Sequence, residues 1–201
     1  MKKDELTGLE KHPCFNAAAK GSYGRVHLPV APKCNIKCNF CDRKYDCVNE
    51  SRPGVTSSVL TPEQAGVYVD RVLEKEPRIT VAGIAGPGDP FANGEETMAT
   101  LKIIKRKHPE MMLCLSSNGM GIGPYIESIA DIGVSHVTIT VCAVDPEIGS
   151  KVYSWVKDKN VVYRGLRAAE LLMSRQIDAI RKLKQFGVTV KVNCIVIPGV
   201  N

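Results

Sequence analysis

The stretch Cys34-Asn35-Ile36-Lys37-Cys38-Asn39-Phe40-Cys41 sets three thiols at a C-x3-C-x2-C spacing, directly after the apolar run Val26-His27-Leu28-Pro29-Val30-Ala31-Pro32. A four-iron cubane is normally held by four cysteines, so three thiolates leave one iron open to a small molecule. An open metal position belongs to catalysis, whereas a structural site closes its coordination. Cys34, Cys38 and Cys41 are therefore read as the catalytic metal ligands. Phe40, next to the last thiol, would keep water from the metal, and burial is one of the means by which a protein sets a cluster's potential. A structural zinc knuckle would want a fourth Cys or His, and a disulfide framework would want an oxidising compartment.

Composition bounds the rest. With 201 residues, 44% hydrophobic and 24% charged, the chain has the length and balance of one well-buried globular domain. No apolar run approaches the roughly 18 residues that a membrane span needs. The opening Met-Lys-Lys-Asp-Glu-Leu has no apolar segment behind it, so no secretory signal is read there and a cytoplasmic location is expected. In that compartment the 8 cysteines read as metal ligands or buried thiols. The net charge of +6 is spread along the chain, and 5% aromatics give no interleaving of rings and cations for nucleic-acid stacking. Such a surface suits anionic clusters or an acidic protein partner instead.

Residues 1–25 read as an irregular lead-in in which His12-Pro13-Cys14-Phe15 stands out, since a Cys and a His two apart can reach one metal centre. A buried small thiol is the alternative reading. Residues 26–201 alternate strands and helices. Strands are expected at Val26–Val30, Ile79–Ala85, Met111–Leu115, His136–Val141 and Val188–Ile197. The intervening helices start at Thr61-Pro62-Glu63-Gln64, where Thr caps and Pro opens, and cover about Glu95–His108, Pro124–Ile132 and Leu166–Phe186. The first should bury Ala65, Tyr68, Val69, Val72 and Leu73. The last should bury Ala169, Leu172, Met173, Ile177, Ile180 and Leu183. Asp145 to Tyr163 reads as irregular. The fold class is α/β, a partial TIM-like barrel of about five parallel strands alternating with helices, with an unpaired edge after the fifth.

Chemistry collects at the C-terminal strand ends of such barrels, and the informative residues fall there. Gly86-Pro87-Gly88-Asp89 follows the second strand, and glycine lets backbone approach a ligand closely; a plain tight turn is the other reading. Ser117 and Asn118 end the third strand, with hydroxyl and amide groups suited to a ribose or carboxylate. Asn193 and Ile197-Pro198-Gly199 lie at the fifth. Cys47 lies six residues past Cys41. Cys114 alternates with Leu113 and Leu115, so it faces the barrel interior. With His27 they make a second metal centre feasible, against the default of inert buried thiols. That default is kept for Cys142 and Cys194.

The three-thiol spacing with its aromatic resembles the radical S-adenosylmethionine (SAM) superfamily, in which SAM binds the fourth iron. Together with His12-Pro13-Cys14, Asp42-Arg43-Lys44-Tyr45-Asp46-Cys47, Glu50-Ser51-Arg52-Pro53-Gly54, Gly86-Pro87-Gly88-Asp89-Pro90, Ser116-Ser117-Asn118-Gly119 and Ile197-Pro198-Gly199-Val200-Asn201, it is similar to the NifB family. The likeness runs from His12 onward, although the usual glycine-rich wording with glutamate is replaced here by Gly-Pro-Gly-Asp.

The resemblance implies a maturase of the nitrogenase cofactor. Two further 4Fe-4S clusters are fused, as substrates, into an eight-iron core around a carbide whose carbon comes from SAM. One SAM molecule gives a methyl group, and a second gives the 5'-deoxyadenosyl radical that takes a hydrogen from it. It also implies that Cys34, Cys38 and Cys41 hold the SAM-binding 4Fe-4S cluster, with Phe40, Gly86, Gly88, Asp89, Ser117, Asn118, Asn193 and Pro198 around the cofactor. His27, Cys47 and Cys114 would hold one substrate cluster, with Glu50 as an oxygen ligand, and Cys14 with His12 would help hold the other. Iron-sulfur delivery and cofactor carrier proteins are the implied partners of a monomer. Members of the family continue past a further strand and helix to a Cys-x2-Cys pair, which leaves the second substrate cluster in question for the stretch given. Another radical SAM enzyme acting on a peptide or small metabolite, and a non-catalytic iron-sulfur or zinc protein, remain as alternatives.

Overall fold

A computed structural model describes residues 11–48 and 56–201. Its main sheet has five strands in the order β1 (Gly24–His27), β3 (Ile79–Ile84), β4 (Met112–Ser117), β5 (Val134–Thr140) and β8 (Thr189–Asn193), every pair parallel. The helices α1 (Pro62–Lys75), α2 (Gly94–Lys107), α3 (Ile126–Ile132) and α5 (Gly165–Gln185) alternate with them. Parallel strands need such crossovers, and each strand overlaps the stretch expected for it, although β1 lies at Gly24–His27 instead of Val26–Val30 and β8 stops at Asn193 short of Ile197. Among the described residues no helix is long and apolar enough to cross a membrane.

One face of the sheet carries Ala82, Ile84, Leu113, Leu115, Val137 and Ile139 into a core shared with Leu101, Ile104, Ile129 and Leu183 of the helices. The opposite face turns inward. Register fixes what stands there, because His27 pairs with Gly83, Gly83 with Cys114, and Cys114 with His136, one row across four strands. Much of this face is polar, with Arg25, Ser116, Thr138, Lys191 and Asn193 beside His27 and Cys114. Two helix faces also differ from expectation. Tyr68 is exposed on α1. On α5 the stripe rotates so that Gln176 is buried and Ile177 is exposed, because the Gln176 amide donates to the carbonyls of Asn118 and Thr140, both at 2.9 Å.

The segment read as irregular is ordered. It holds α4 (Pro146–Val152), β6 (Tyr153–Asp158) and β7 (Val161–Tyr163). Asp145 caps α4 by accepting from the Glu147 amide at 2.7 Å. The two strands form a second, antiparallel sheet with β2 (Ile36–Cys38), which lies inside the cysteine stretch. β2 and β7, of three residues each, are too short for a period to register, and β2 was hidden by the cysteines themselves. The small sheet has its own core of Ile36, Met120, Cys142, Val152, Tyr153, Val156 and Leu172. Cys142 is buried, but Cys194 is exposed just past β8, contrary to expectation.

Helix α1 starts as the sequence requires: Thr61 accepts from the Gln64 amide at 3.2 Å and Gln64 accepts from the Thr61 amide at 2.9 Å. Thr61→Ala should cost about 1 kcal/mol. In a urea titration the midpoint should fall with the slope unchanged; an unchanged midpoint would mean that the cap is replaced by solvent at no cost.

Candidate active site

The three thiols reach one pocket by different routes. Cys34 precedes β2, Cys38 ends it, and Cys41 sits in the turn beyond, whose amide donates to the Cys38 carbonyl at 3.1 Å. The loop is tied to the small sheet by pairing of Ile36 with Val156 and of Lys37 with Trp155. The Lys37 ammonium donates to the Cys41 carbonyl at 2.5 Å and the Asn39 amide to the Val152 carbonyl at 2.9 Å. Ile36, Phe40, Arg43, Cys47, Gly88, Asp89, Ser117 and Asn118 share the lining with Val48, Ala85 and Ser116.

Burial pushes the Cys34 thiol up to about 12, with the Asp89 carboxyl adding to the shift, and pushes Cys38 higher still, helped by the neighbouring cysteines. Without a bound cation these groups are neutral thiols, and only a metal would make them thiolates. Among the described residues no three of His, Cys, Asp or Glu gather tightly enough for a single metal ion. A cubane places each thiolate on its own iron, so three sulfurs spaced around one pocket fit such a cluster. An amide near a sulfur also tunes a cluster; here Asn118 Nδ2 lies 3.7 Å from Cys34 Sγ.

Behind the thiols stands a clamp of buried polar groups. A Cβ on Gly88 would lie 2.1 Å from the Lys33 carbonyl oxygen, so glycine is needed there for backbone to meet backbone. The Gly88 amide donates to Ala31 at 2.6 Å and the Asp89 amide to Lys33 at 2.8 Å. Asn93 grips the same residue, accepting from the Lys33 amide at 3.2 Å and donating to its carbonyl at 3.0 Å. The buried Asp89 carboxylate accepts from the amides of Phe91 at 2.9 Å and Asn118 at 2.7 Å, and from the Ser117 hydroxyl at 3.0 Å. Burial raises its pKa while these donors pull the other way. Asn118 in turn donates to Asn35 Oδ1 at 2.7 Å and accepts from the Met120 amide at 2.8 Å. Asp89, Ser117 and Asn118 therefore line the pocket with their hydrogen-bonding groups already engaged, and what the arrangement does is hold the cysteine loop against the strand ends.

The inner face of the main sheet lines a cavity of about 160 Å³. Cys14, His27 and Cys114 meet there, with Arg25, Ser116, Thr138, Lys191 and Asn193. Cys47 lines the three-thiol pocket instead of this cavity, although its neighbour Val48 lines both. Asn193 likewise falls in the cavity, and Pro198 is exposed in the closing turn, flanked by Ile197 and Val200 packed on the small core. His12 does not join Cys14 in the cavity lining. Its ring is fully buried, 4.7 Å from Phe15 and 4.4 Å from His136 between centroids, and its Nδ1 accepts from the Cys14 amide at 3.2 Å. Burial, with His136 and Arg25 nearby, lowers His12 to about 3, so it is a neutral plug under the lead-in. Glu50 lies outside the described residues.

Reasoning from sequence missed Asn35, Asn93, Gln176, Arg25 and Lys191. Asn93 had a signal, a cap-type residue ahead of α2. The other four had none, because each works across the fold.

The glycine geometry can be tested on the metal-free protein. Gly88→Ala should destabilise by about 1–3 kcal/mol through overpacking. Gly86→Ala, whose Cβ meets nothing closer than 3.5 Å, should lie within about 0.5 kcal/mol of the parent. Equal denaturation midpoints for the two variants would contradict the clamp.

The radical SAM superfamily model matches residues 28–201. FeMo cofactor biosynthesis protein NifB of Chlorobaculum tepidum is 58% identical over 193 residues, covering 96% of this chain and 46% of that protein. NifB of Klebsiella pneumoniae is 47% identical, covering 94% and 41%. The chain thus spans less than half the length of these relatives. Among solved structures, anSMEcpe with bound AdoMet and a Cp18Cys peptide superposes with a TM-score of 0.59 at 19% identity, over 86% of this chain and 43% of that one, which speaks to the fold. The chain belongs to the radical SAM superfamily, and across nearly all of its length its sequence is similar to that of NifB proteins.

Proposed function

We propose that the chain is the radical SAM part of a nitrogenase-cofactor maturase, which inserts a SAM-derived carbon and fuses two 4Fe-4S clusters into an eight-iron core. One observation carries this reading. The three-thiol pocket and the cavity of Cys14, His27 and Cys114 share Val48, Ala85 and Ser116 as walls, so the three thiols adjoin a second set of soft metal donors. Incidental buried thiols would not converge on a cavity adjoining the first.

In this reading Cys34, Cys38 and Cys41 hold the resident 4Fe-4S cluster. The group would supply the open iron for SAM, one molecule giving a methyl group and a second, on one-electron reduction, a 5'-deoxyadenosyl radical. The chain's own part is placement and shielding. Phe40 and Ile36 keep water off the thiolates. Asn118 directs its amide toward the Cys34 sulfur, and Asp89 fixes Asn118. The shared wall keeps the path between the two sites short. In the cavity the donors are mixed, imidazole with thiolate, and a mixed set releases iron more readily than four cysteines, which fusion of the clusters requires. Cys47 lines the three-thiol pocket next to Val48, which walls both sites, and is the nearest further thiol in sequence to the cavity. Supply of the clusters and removal of the core call for iron-sulfur delivery and cofactor carrier partners.

Anaerobic reconstitution followed by metal counting tests this. The expected outcome is clearly more iron than the roughly four atoms of one cubane. Cys114→Ala should lose about one cluster's worth of it, and Cys38→Ala should lose reductive SAM cleavage. About four irons with SAM cleavage would point to a radical SAM enzyme for a peptide or small metabolite. Zinc on the thiols without cleavage would point to a binding protein.

A further inference from the structure

The cavity has a charge that its thiols do not explain. Among the described residues lining it are two cations, Arg25 and Lys191, and no carboxylate. They come from opposite edges of the sheet, Arg25 from β1 and Lys191 from β8, and so flank whatever the cavity holds. The Arg25 guanidinium donates to the sulfur of Cys14. Lys191 places its ammonium 5.7 Å from the centroid of the Phe15 ring, half-buried, and no carboxylate among the described residues pairs with it.

An ammonium on a half-buried residue, facing an aromatic ring and no acid, is completed by an anion. The donors beside it are sulfur and imidazole, which select soft metals over oxyanions. A thiolate-bound iron-sulfur cluster satisfies both demands, since it carries net negative charge and takes those ligands. We propose that Lys191 and Arg25 form a cationic clamp that holds an anionic iron-sulfur guest in the cavity by charge, while Cys14, His27 and Cys114 hold it by bonds. The clamp rests on the reading of the cavity as a cluster site. It adds the residues that neutralise the guest and raise its potential, because a nearby cation favours the more negative, reduced form.

The test uses the full-length protein, reconstituted anaerobically with ferrous iron and sulfide. Cys114→Ala first identifies which iron belongs to the cavity. Lys191→Met keeps the stem over Phe15 and removes the charge; it should release cavity iron to a chelator about tenfold faster and lower the potential of that cluster. Lys191→Arg should restore both. Arg25→Gln, the second variant should Lys191→Met fail to fold, should move both readouts in the same direction. Cavity iron that is held and reduced as in the parent in both charge-removing variants would overturn the clamp while leaving the cluster site standing. An arginine variant that behaves like the methionine one would assign the effect to packing and also overturn it. Inorganic phosphate that blocks cluster uptake in the parent but not in Lys191→Met would make this an oxyanion site instead. If Cys114→Ala loses no iron, the cluster reading itself falls, and the clamp with it.

Discussion

A single buried carboxylate joins the parts of the site. Asp89 leaves β3, receives amides from its own turn and from Asn118 at the end of β4, and presents its own amide to Lys33, the residue before the first thiol. A buried carboxyl group is tolerated only when its oxygens are hydrogen-bonded, and each donor left unpaired on its removal would cost about 1–3 kcal/mol. The network thus tolerates little variation. It forces the cysteine loop, the Gly-Pro-Gly-Asp turn and the Ser-Ser-Asn-Gly turn into one arrangement, three segments far apart in the chain. The absence of a side chain at Gly88 serves the same end, because the loop can come this close only where no Cβ intervenes.

A second constraint comes from outside the main sheet. The cysteine stretch cannot be a free loop, since thiols that wander would have to be ordered anew each time metal bound. Pairing β2 with β6 and seating it on the small core of Tyr153, Val156 and Leu172 provides that order in advance. The clamp fixes the loop from the strand-end side and the small sheet fixes it from the other. The long segment between β5 and α5 therefore supports the site without lining its pocket.

Legibility divides along these lines. The five strands and four principal helices could be read from sequence because each carries its own period and boundary signals, such as the capping box at Thr61 and the left-handed Gly133 after α3. The thiols were legible because spacing is a local property. What could not be read is whatever depends on two distant segments meeting. Gln176 looked like a polar interruption of an apolar stripe, and only the carbonyls of Asn118 and Thr140 explain its burial. His12, by its nearness to Cys14 in sequence, is expected to share that residue's surroundings. One residue separates them, which is enough to turn the imidazole under the floor and the thiol into the cavity.

The inner face of the sheet shows why the cavity matters physically. A parallel sheet is usually buried on both faces by apolar side chains, and here the face toward the helices obeys that rule with Leu113, Leu115, Val137 and Ile139. The other face breaks it with Arg25, His27, Cys114, Ser116, Thr138, Lys191 and Asn193. Such a row weakens the sheet relative to one filled with valine and isoleucine, since each polar group loses water on burial. Departures from a local rule concentrated on one surface, while the rest of the fold keeps to it, belong to function. Their chemistry narrows the function further: thiol and imidazole for soft metal, cations for negative charge, and a wall shared with three more thiols. That combination is what the proposed function asks of the fold, which gives up stability on one face to set a soft-donor cavity beside the three-thiol pocket.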